Sequence, residues 1–359
     1  SDVPISFCLS GGVDSGSLAS IAAKEFNVKV NSFSIIDNKD PRYNEKVEID
    51  KVVKDIKSDH HEIVIQNRDN KKNLRDLSSL ISYKSAPLPT ITSFLSANLA
   101  KEISKKGFKV SIAGTAADEI FSGYYDHYLL HLYETKSSEN YKANLKDFNY
   151  FIKKFIRNKD LKDPKLYIKN KNFRDHIFDS NKIFLNFLNQ KYKRKNWFEF
   201  SEKKYSSNFF CNRRLNELFH EITPVVLNED DTNSMYYSVE NRSPFLDKNL
   251  VEHMFSVDPK MLIENGYSKN ILREISKDYL VDDIRLNRKK KGFNGSVKNI
   301  FDFKDKKFLD NIFEKDSEIY EFFDKKKIIN FLNKDINHNA YSKFIFSFIN
   351  TKIFLDLHN

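Results

Sequence analysis

The sequence predicts an α/β fold in which a parallel, doubly wound sheet is followed by a mostly helical part. Three observations support this prediction. Apolar runs of strand length alternate with helix-like segments over residues 1–127, a pattern typical of parallel sheets flanked by helices. After residue 128, Phe- and Lys-rich segments have helical periodicity and strands become rare. Two glycine-containing turns directly follow predicted strands, at the sheet edge where such folds bind ligands.

The predicted elements of the first part alternate along the chain. Strands are predicted over residues 3–9, 28–36, 60–65 and 109–113, and helices over residues 16–26, 44–57 and 90–105. No Pro-, Gly- or Ser-rich linker separates the two parts, so we expect one compact unit. The predicted division is an α/β core over residues 1–127 and a mostly helical region over residues 128–359 that closes over the site.

The composition is that of an ordinary globular protein. The chain has 359 residues, 40% hydrophobic and 31% charged, with a net charge of +10, which suits a large core and two subdomains. No apolar run approaches the roughly 18 residues that a membrane span needs, so no membrane partner is expected. Two cysteines allow no disulfide framework, which favours a cytoplasmic location.

The excess of basic residues is concentrated between residues 141 and 204. Such a region indicates either a nucleic-acid patch or a solvated helical surface. The lysines are interleaved with Phe, Tyr, Ile and Leu at helical spacing, which favours the helical surface. Nucleic acid is therefore not expected as a partner.

The most informative segment is the glycine loop, residues 10–15, which reads Ser-Gly-Gly-Val-Asp-Ser. It lies between a predicted strand and a predicted helix, so free backbone N–H groups and the helix dipole converge on an anion. Asp14 would repel a phosphate unless a cation lay between them, which predicts Mg²⁺. Gly11 and Gly12 would let the backbone approach a phosphate closely, because they have no Cβ atom. Ser10 and Ser15 would add hydroxyl donors.

The glycine loop does not match the Walker A pattern, which ends in Gly-Lys-Ser/Thr. It resembles instead the PP-loop of the ATP pyrophosphatases, enzymes that cut ATP between the α and β phosphates. The resemblance implies a sheet of PP-loop type, ATP as a ligand and pyrophosphate as a product.

A second turn with the same placement follows the predicted strand at residues 109–113. It is the β4 loop, residues 113–116, which reads Ala-Gly-Thr-Ala and is soon followed by Asp118. Because parallel strands end at one edge of a sheet, we expect Asp118 to meet Asp14 across a shared Mg²⁺. The alternative is that Asp118 or Glu119 only caps the next helix.

Four later segments make a closer resemblance specific. They are residues 231–235, 238–247, 269–274 and 288–293, which read DTNSM, SVENRSPFLD, KNILRE and RKKKGF. Together with the two loops, they make the chain similar to the synthetase domain of the glutamine-dependent asparagine synthetase family. The similarity runs from residue 2 to residue 293, most of the chain.

The resemblance implies an AMP-forming carbon–nitrogen ligase. ATP would bind with its phosphates on the glycine loop and with Mg²⁺ on Asp14 and Asp118. A substrate carboxylate, by default that of aspartate, would attack the α-phosphorus to give an acyl-adenylate and pyrophosphate. Ammonia from glutamine would then displace AMP and leave an amide, as in asparagine biosynthesis. The adenine would lie beside Leu9, Ile36, Ala113 and Gly114.

Two charged segments of the resemblance have implied roles at the reacting centre. Lys290 matches the catalytic lysine of the family's Arg-x-Lys-x-Gly-Phe motif, where a fixed cation would stabilise the charge on the leaving pyrophosphate. Taken alone, residues 289–291 would be an exposed basic turn. Glu240 and Arg242 match a Val-Glu-x-Arg block that either orients the substrate or holds the helical region to the sheet.

Two positions depart from the family pattern. Thr115 stands at the reacting centre where asparagine synthetases have a glutamate, and threonine cannot act as an anionic base. Thr232 replaces the arginine that usually follows Asp231. The substrate is therefore left open, and a uronic acid sugar, a peptide side chain or a β-amino acid is the alternative to aspartate.

Members of this family usually begin with a glutaminase domain whose first residue is a nucleophilic cysteine. This chain begins with Ser1 directly before the first predicted strand. We expect a fragment of a longer enzyme, or a chain that takes ammonia from a glutaminase partner or from solution. The sequence is compatible with a homodimer and does not fix the oligomeric state.

Two other functions compete with the ligase. A PP-loop enzyme that modifies tRNA would use the basic surface, but thiolating members need catalytic cysteines, and the block at residues 238–247 argues against a lysidine-type synthetase. A nucleotide-binding module without activity would not need Asp14, Asp118 and Lys290 together. The ligase therefore remains the leading interpretation.

Overall fold

The computed structural model describes residues 1–38, 41, 44–65, 69–178, 184–192, 201–289, 295–313, 316–332 and 339–358. Within them, one five-stranded parallel sheet is followed by a mostly helical second part. This arrangement confirms the predicted α/β class.

The sheet places the carboxyl ends of its first and fourth strands side by side. Its strands are β1 (Ile5–Cys8), β2 (Asn31–Ile36), β3 (Asp59–Val64), β4 (Val110–Ile112) and β5 (Glu240–Arg242). The order is β3-β2-β1-β4-β5, and Ile5 of β1 lies opposite Val110 of β4. The glycine loop after β1 and the β4 loop therefore leave the sheet at the same edge.

Helices make up most of the remaining chain. A π-helical segment, Phe148–Ile152, follows α7, and short 3₁₀ turns connect several of the later helices. The α-helices are α1 (Val13–Lys24), α2 (Lys46–Ile56), α3 (Asn70–Lys84), α4 (Ile91–Lys105), α5 (Ala117–Phe121), α6 (Tyr125–Glu134), α7 (Tyr141–Asp147), α8 (Leu166–Lys169), α9 (Asp175–Phe178), α10 (Phe209–Phe219), α11 (Ile222–Tyr236), α12 (Lys248–Ser256), α13 (Asn270–Ile275), α14 (Asp282–Arg285), α15 (Val297–Ile300), α16 (Lys306–Phe313), α17 (Ile319–Phe322), α18 (Lys325–Leu332) and α19 (Asn339–His358).

The strands and helices predicted for the first 127 residues are all present, with bounds that differ by a few residues. Helix α1 begins at Val13, earlier than predicted, because the extended Gly12 already precedes its first turn. The sequence-based prediction missed α3 and β5. Strand β5 has only three residues, two of them exposed charged side chains, so it lacks the apolar run that marks a strand.

The hydrophobic core joins the sheet to the helical part. One cluster of buried side chains contains Phe7 and Ile36 of the sheet together with Phe148 and Phe210. A second cluster packs α3 and α4 against the C-terminal helices around Phe346. The division of the chain at residue 127 stays a prediction. Among the described helices, none has both the length and the apolar character that crossing a membrane requires.

The buried ring of Phe346 provides a test of the second cluster. Phe346 is 0% exposed, so Phe346→Ala should leave a cavity and lower the free energy of unfolding by about 3–5 kcal/mol. Urea unfolding followed by circular dichroism measures the change. Phe26→Ala, at a ring that is 71% exposed, is the control, and equal stability of the two variants would contradict this packing.

Candidate active site

A cavity of about 450 Å³ opens at the carboxyl ends of the strands. The glycine loop, the β4 loop and β2 form one side of it, and α4 and α11 form the other. The lining includes Ser10, Asp14 and Ser15 from the glycine loop, and Gly114 and Thr115 from the β4 loop. Both turns that the sequence singles out therefore contribute to one cavity.

The glycine loop is held in a compact turn by its own serines. The Ser10 backbone N–H donates to Ser15 Oγ at 2.9 Å, and the two serine hydroxyls lie 2.9 Å apart. The Gly12 backbone N–H donates to Ser10 Oγ at 3.3 Å. Gly12 precedes α1 in an extended conformation without a side-chain cap, so the first turn of the helix keeps donors for a ligand.

Neighbouring backbone segments require glycine at two positions. A Cβ atom on Gly11 would lie 2.7 Å from Glu48 Cβ in α2, which is too close for two carbon atoms that are not bonded to each other. A Cβ atom on Gly114 would lie 3.2 Å from Asp14 Cβ. The glycine loop and the β4 loop thus touch each other, and α2 packs directly on the first of them.

One lysine joins the two predicted metal ligands. Lys269 Nζ lies 2.6 and 2.5 Å from the two carboxylate oxygens of Asp14, and 2.6 Å from Asp118 Oδ1. The lysine is buried, and about a quarter of each aspartate side chain is exposed. Burial alone would lower the pKa of Lys269, but the carboxylates of Asp118 and Asp14 outweigh burial and raise it.

The surrounding backbone places Lys269 at this point. Lys269 has a left-handed backbone conformation, with φ of 55°, and immediately precedes α13. The preceding Ser268 donates its N–H to Tyr128 Oη at 2.9 Å and accepts a hydrogen bond from Arg273 Nε at 2.8 Å. A Cβ atom on Gly123 would overlap with Asp118 Oδ1 and Lys269 Cε, so only glycine fits beside this ion pair.

The donor set suits a divalent cation. Oxygens of Asp14 and Asp118 converge on a single positive charge, the Lys269 ammonium. Carboxylate oxygens are the ligands that Mg²⁺ prefers, and it commonly uses one or two of them together with phosphate oxygens. The site therefore fits the predicted ion, provided that the ammonium moves or shares the carboxylates.

A carboxylate from α11 lies beside the β4 loop in the cavity wall. Thr115 Oγ1 donates to Asp230 Oδ2 of α11 at 3.2 Å. Burial raises the pKa of the Asp230 carboxyl from 3.8 to about 6, since the bond from Thr115 only partly offsets the loss of water. The residue that departs from the family pattern is therefore bonded to a carboxylate from a distant helix.

Glu119 lies next to the shared ion pair and is 2% exposed. It accepts a hydrogen bond from Tyr124 Oη at 2.6 Å. Burial, and then the charge of Asp118, raise the pKa of Glu119 to about 7. A carboxyl group with such a pKa exchanges a proton at neutral pH.

The structure brings most of the predicted site residues into this cavity but not all of them. Ile36 is 0% exposed in the core, and its neighbour Ile35 lines the cavity instead, because successive strand side chains point to opposite faces. Glu240 is exposed on β5 and pairs with Arg242 at 2.7 Å, away from the lining. Lys290 lies outside the described residues. The predicted residues that do line the cavity are Leu9, Ser10, Asp14, Ser15, Ala113, Gly114, Thr115 and Asp118.

Sequence reasoning missed three charged residues of the site. Lys269 opens one of the quoted segments, yet a lysine before a short helix carries no local sign that it reaches two aspartates. Glu119 follows Asp118 directly, and the sequence suggests for it only a helix cap, which the start of α5 lacks. Asp230 precedes the quoted segment at residues 231–235, and only the packing of α11 brings it to Thr115.

Comparisons with known proteins give one consistent result. The asparagine synthase family model matches residues 1–355. The chain is 28% identical over 310 residues to asparagine synthetase [glutamine-hydrolyzing] 3 of Bacillus subtilis, covering 81% of this chain and 45% of that protein. It is 24% identical over 308 residues to asparagine synthetase [glutamine-hydrolyzing] 1 of the same organism, covering 82% and 46%. The chain thus spans about half the length of these curated relatives.

The shared ion pair predicts the effect of removing its lysine. Lys269→Met leaves the carboxylates of Asp14 and Asp118 facing each other, so the free energy of unfolding without divalent ions should fall by about 3 kcal/mol. Urea unfolding in EDTA measures the loss. Lys277→Met, at an exposed lysine after α13, is the control.

Adding millimolar Mg²⁺ to Lys269→Met should recover part of the lost stability, because the ion takes the position of the ammonium. The same addition should change the wild-type chain less. If Lys269→Met were as stable as Lys277→Met in EDTA, the two aspartates would not depend on the lysine.

The raised pKa of Asp230 predicts a pH dependence of stability. Folding raises this pKa from 3.8 to about 6, so the native state holds the proton more tightly, and this carboxyl stabilises the fold most below pH 3.8. That contribution declines as the pH rises through 6. Asp230→Asn should therefore gain about 1 kcal/mol relative to the wild type between pH 5 and pH 7.5. Urea midpoints at both values test this, with Asp310→Asn on the exposed side of α16 as the control.

Proposed function

This chain belongs to the asparagine synthase family, and from that premise we propose that it is the synthetase part of an ATP-dependent amide-forming ligase. It adenylates a carboxylate, releases pyrophosphate, and lets ammonia displace AMP. Aspartate is the default substrate of the proposal, and another carboxylate is its alternative. The B. subtilis relatives are glutamine-hydrolysing enzymes by name, so ammonia from a glutaminase domain, in the same protein or a partner, is part of the proposal.

One observation carries the proposal. Two aspartates after neighbouring parallel strands converge on one cation, beside a glycine loop whose helix begins without a side-chain cap. A triphosphate needs both of these features, a set of backbone donors and a counter-ion held by carboxylates. A structural ion pair would need neither the open helix start nor the adjoining cavity.

The residues of the glycine loop bind and orient the phosphates. The uncapped first turn of α1 supplies backbone N–H donors at the helix N-terminus, where negative charge is stabilised. Asp14 and Asp118 would hold Mg²⁺, which would supply positive charge to neutralise phosphate oxygens. Lys269 is a fixed cation at the same point, and the family resemblance assigns Lys290 to the leaving pyrophosphate.

The chemistry then consists of two displacements. A carboxylate oxygen attacks the α-phosphorus, and the bond from that phosphorus to pyrophosphate breaks. The nitrogen of ammonia attacks the acyl carbon, the bond to AMP breaks, and the nitrogen loses a proton. Thr115 cannot accept that proton, so we assign the role to Glu119, a carboxyl group that lines the same cavity.

Pyrophosphate release with ATP, Mg²⁺, ammonium and a panel of carboxylates tests this function. The panel contains aspartate, glucuronate and β-alanine, and at least one member should stimulate release of pyrophosphate and AMP together with amide formation. Asp14→Asn should lower that rate by about 100-fold or more, because it weakens the cation site. Asp310→Asn should keep the wild-type rate. Full activity of Asp14→Asn, or no stimulation by any carboxylate, would contradict the proposal.

A further inference from the structure

We propose that the acceptor pocket, the end of the cavity between the β4 loop and α11, selects a monocarboxylate whose other polar groups are hydrogen-bond donors. Hydroxyl and ammonium groups share this chemistry. A second carboxylate on the substrate is rejected, so the inference favours the alternative carboxylate of the proposed function over aspartate. The inference rests on the proposed function, since it names the class of carboxylate that would be adenylated, and it is drawn from the charges of the cavity wall.

The cavity wall is acidic. Among the described residues that line it there is no lysine, arginine or histidine. Its carboxylates come from the glycine loop, the start of α2, the start of α5 and the middle of α11. They are Asp14, Glu45, Asp118, Glu119, Glu229 and Asp230.

Four of these carboxylates are explained by the chain itself. The two aspartates of the shared ion pair flank Lys269. Glu45 accepts a hydrogen bond at 3.3 Å from a backbone N–H of the glycine loop. Glu229 forms a buried ion pair with Lys84. Each of these four groups has a charged or backbone partner within the chain, although Oε2 of Glu229 has no hydrogen-bond partner among the described residues.

Asp230 and Glu119 are different because their side-chain hydrogen-bond donors in the described chain are neutral hydroxyls, and Glu119 also accepts a hydrogen bond from its own backbone N–H. Thr115 donates to Asp230 at 3.2 Å, and Tyr124 donates to Glu119 at 2.6 Å. A hydroxyl leaves the charge of a carboxylate in place, and each carboxylate can accept more than one hydrogen bond. Both carboxylates can therefore accept further hydrogen bonds, and donor groups of a ligand in the cavity would supply them.

A buried hydroxyl on the same helix supports a polar ligand. Thr223 lines the cavity and is 3% exposed, and its Oγ1 has no hydrogen-bond partner among the described residues. Thr223 and Asp230 are seven positions apart in α11, so they share one face of the helix. Buried hydroxyls without a partner are costly, and a hydroxyl or amine of a substrate would satisfy this one.

The position of Asp230 makes it a selectivity residue. Thr115 directly follows Gly114, which touches Asp14 of the glycine loop, so Asp230 lies at the junction between the phosphate end and the acceptor pocket. A second carboxylate in the pocket would face the carboxylate of Asp230, and like charges repel strongly in a partly buried site. A hydroxyl or ammonium would instead bond to it.

Simple carboxylates provide matched probes. β-Alanine is aspartate without its α-carboxylate, and 3-hydroxypropionate is succinate with one carboxylate replaced by a hydroxyl. Propionate has neither group. Calorimetry in the presence of Mg²⁺ and a non-hydrolysable ATP analogue should show that β-alanine or 3-hydroxypropionate binds about tenfold more tightly than its dicarboxylate counterpart and than propionate. The better of these two probes distinguishes an ammonium-bearing from a hydroxyl-bearing substrate.

Two variants of Asp230 assign the preference to this residue. Asp230→Asn should bring each matched pair to within about twofold in affinity, and Asp230→Lys should reverse the order in favour of aspartate and succinate. Asp310→Asn should keep the wild-type order. If Asp230→Lys does not fold, Asp230→Asn alone decides.

The outcomes separate this inference from the proposed function. Dicarboxylates that bind as tightly as their matched probes, an unchanged order in Asp230→Asn, or no binding by any probe overturns the inference. Pyrophosphate release measured on the same panel reports on the function. Turnover of aspartate alone would support the ligase and overturn the inference. The expected binding order without any turnover would support the inference and contradict the ligase.

Discussion

The ion pair that Lys269 shares with Asp14 and Asp118 is the interaction on which the rest of the site depends. The two aspartates follow β1 and β4, which are neighbours in the sheet, so the topology brings two negative charges to one point. A cation must lie between them, and a lysine 255 positions after Asp14 supplies it. This contact ties the sheet edge to the start of α13, and it holds the two halves of the chain around the cavity.

Tight packing around the ion pair and burial of nearby carboxyl groups set the charge properties of the cavity. The ion pair and its packing leave little room, since Gly123 cannot carry a Cβ atom and Gly114 lies against Asp14. Burial raises the pKa of Glu119, beside the ion pair, to about 7, and the pKa of Asp230, across the β4 loop, to about 6. Two acids poised near neutral pH beside a cation site form a cavity that can both bind donors and exchange protons.

The two ends of the cavity differ in how they relate to the family pattern. The parallel sheet and the glycine loop place an uncapped helix N-terminus beside the carboxylates of Asp14 and Asp118. Thr115 and its bond to Asp230 belong to the acceptor side of the cavity. A change confined to that side is expected to alter which carboxylate is bound while leaving the nucleotide chemistry intact.

The sequence by itself determined the parallel sheet, its two loops and the nearness of Asp14 to Asp118, because local periodicity and the common edge of parallel strands decide all three. Only the tertiary structure decided that Ile35, not Ile36, lines the cavity. Alternate side chains of a strand point to opposite faces of the sheet, and the packing on each face decides which set borders the cavity. The tertiary structure placed Glu240 on an exposed edge strand for the same reason. Lys269 and Asp230 arrive from helices far along the chain, and no local pattern encodes how a helix packs across a sheet.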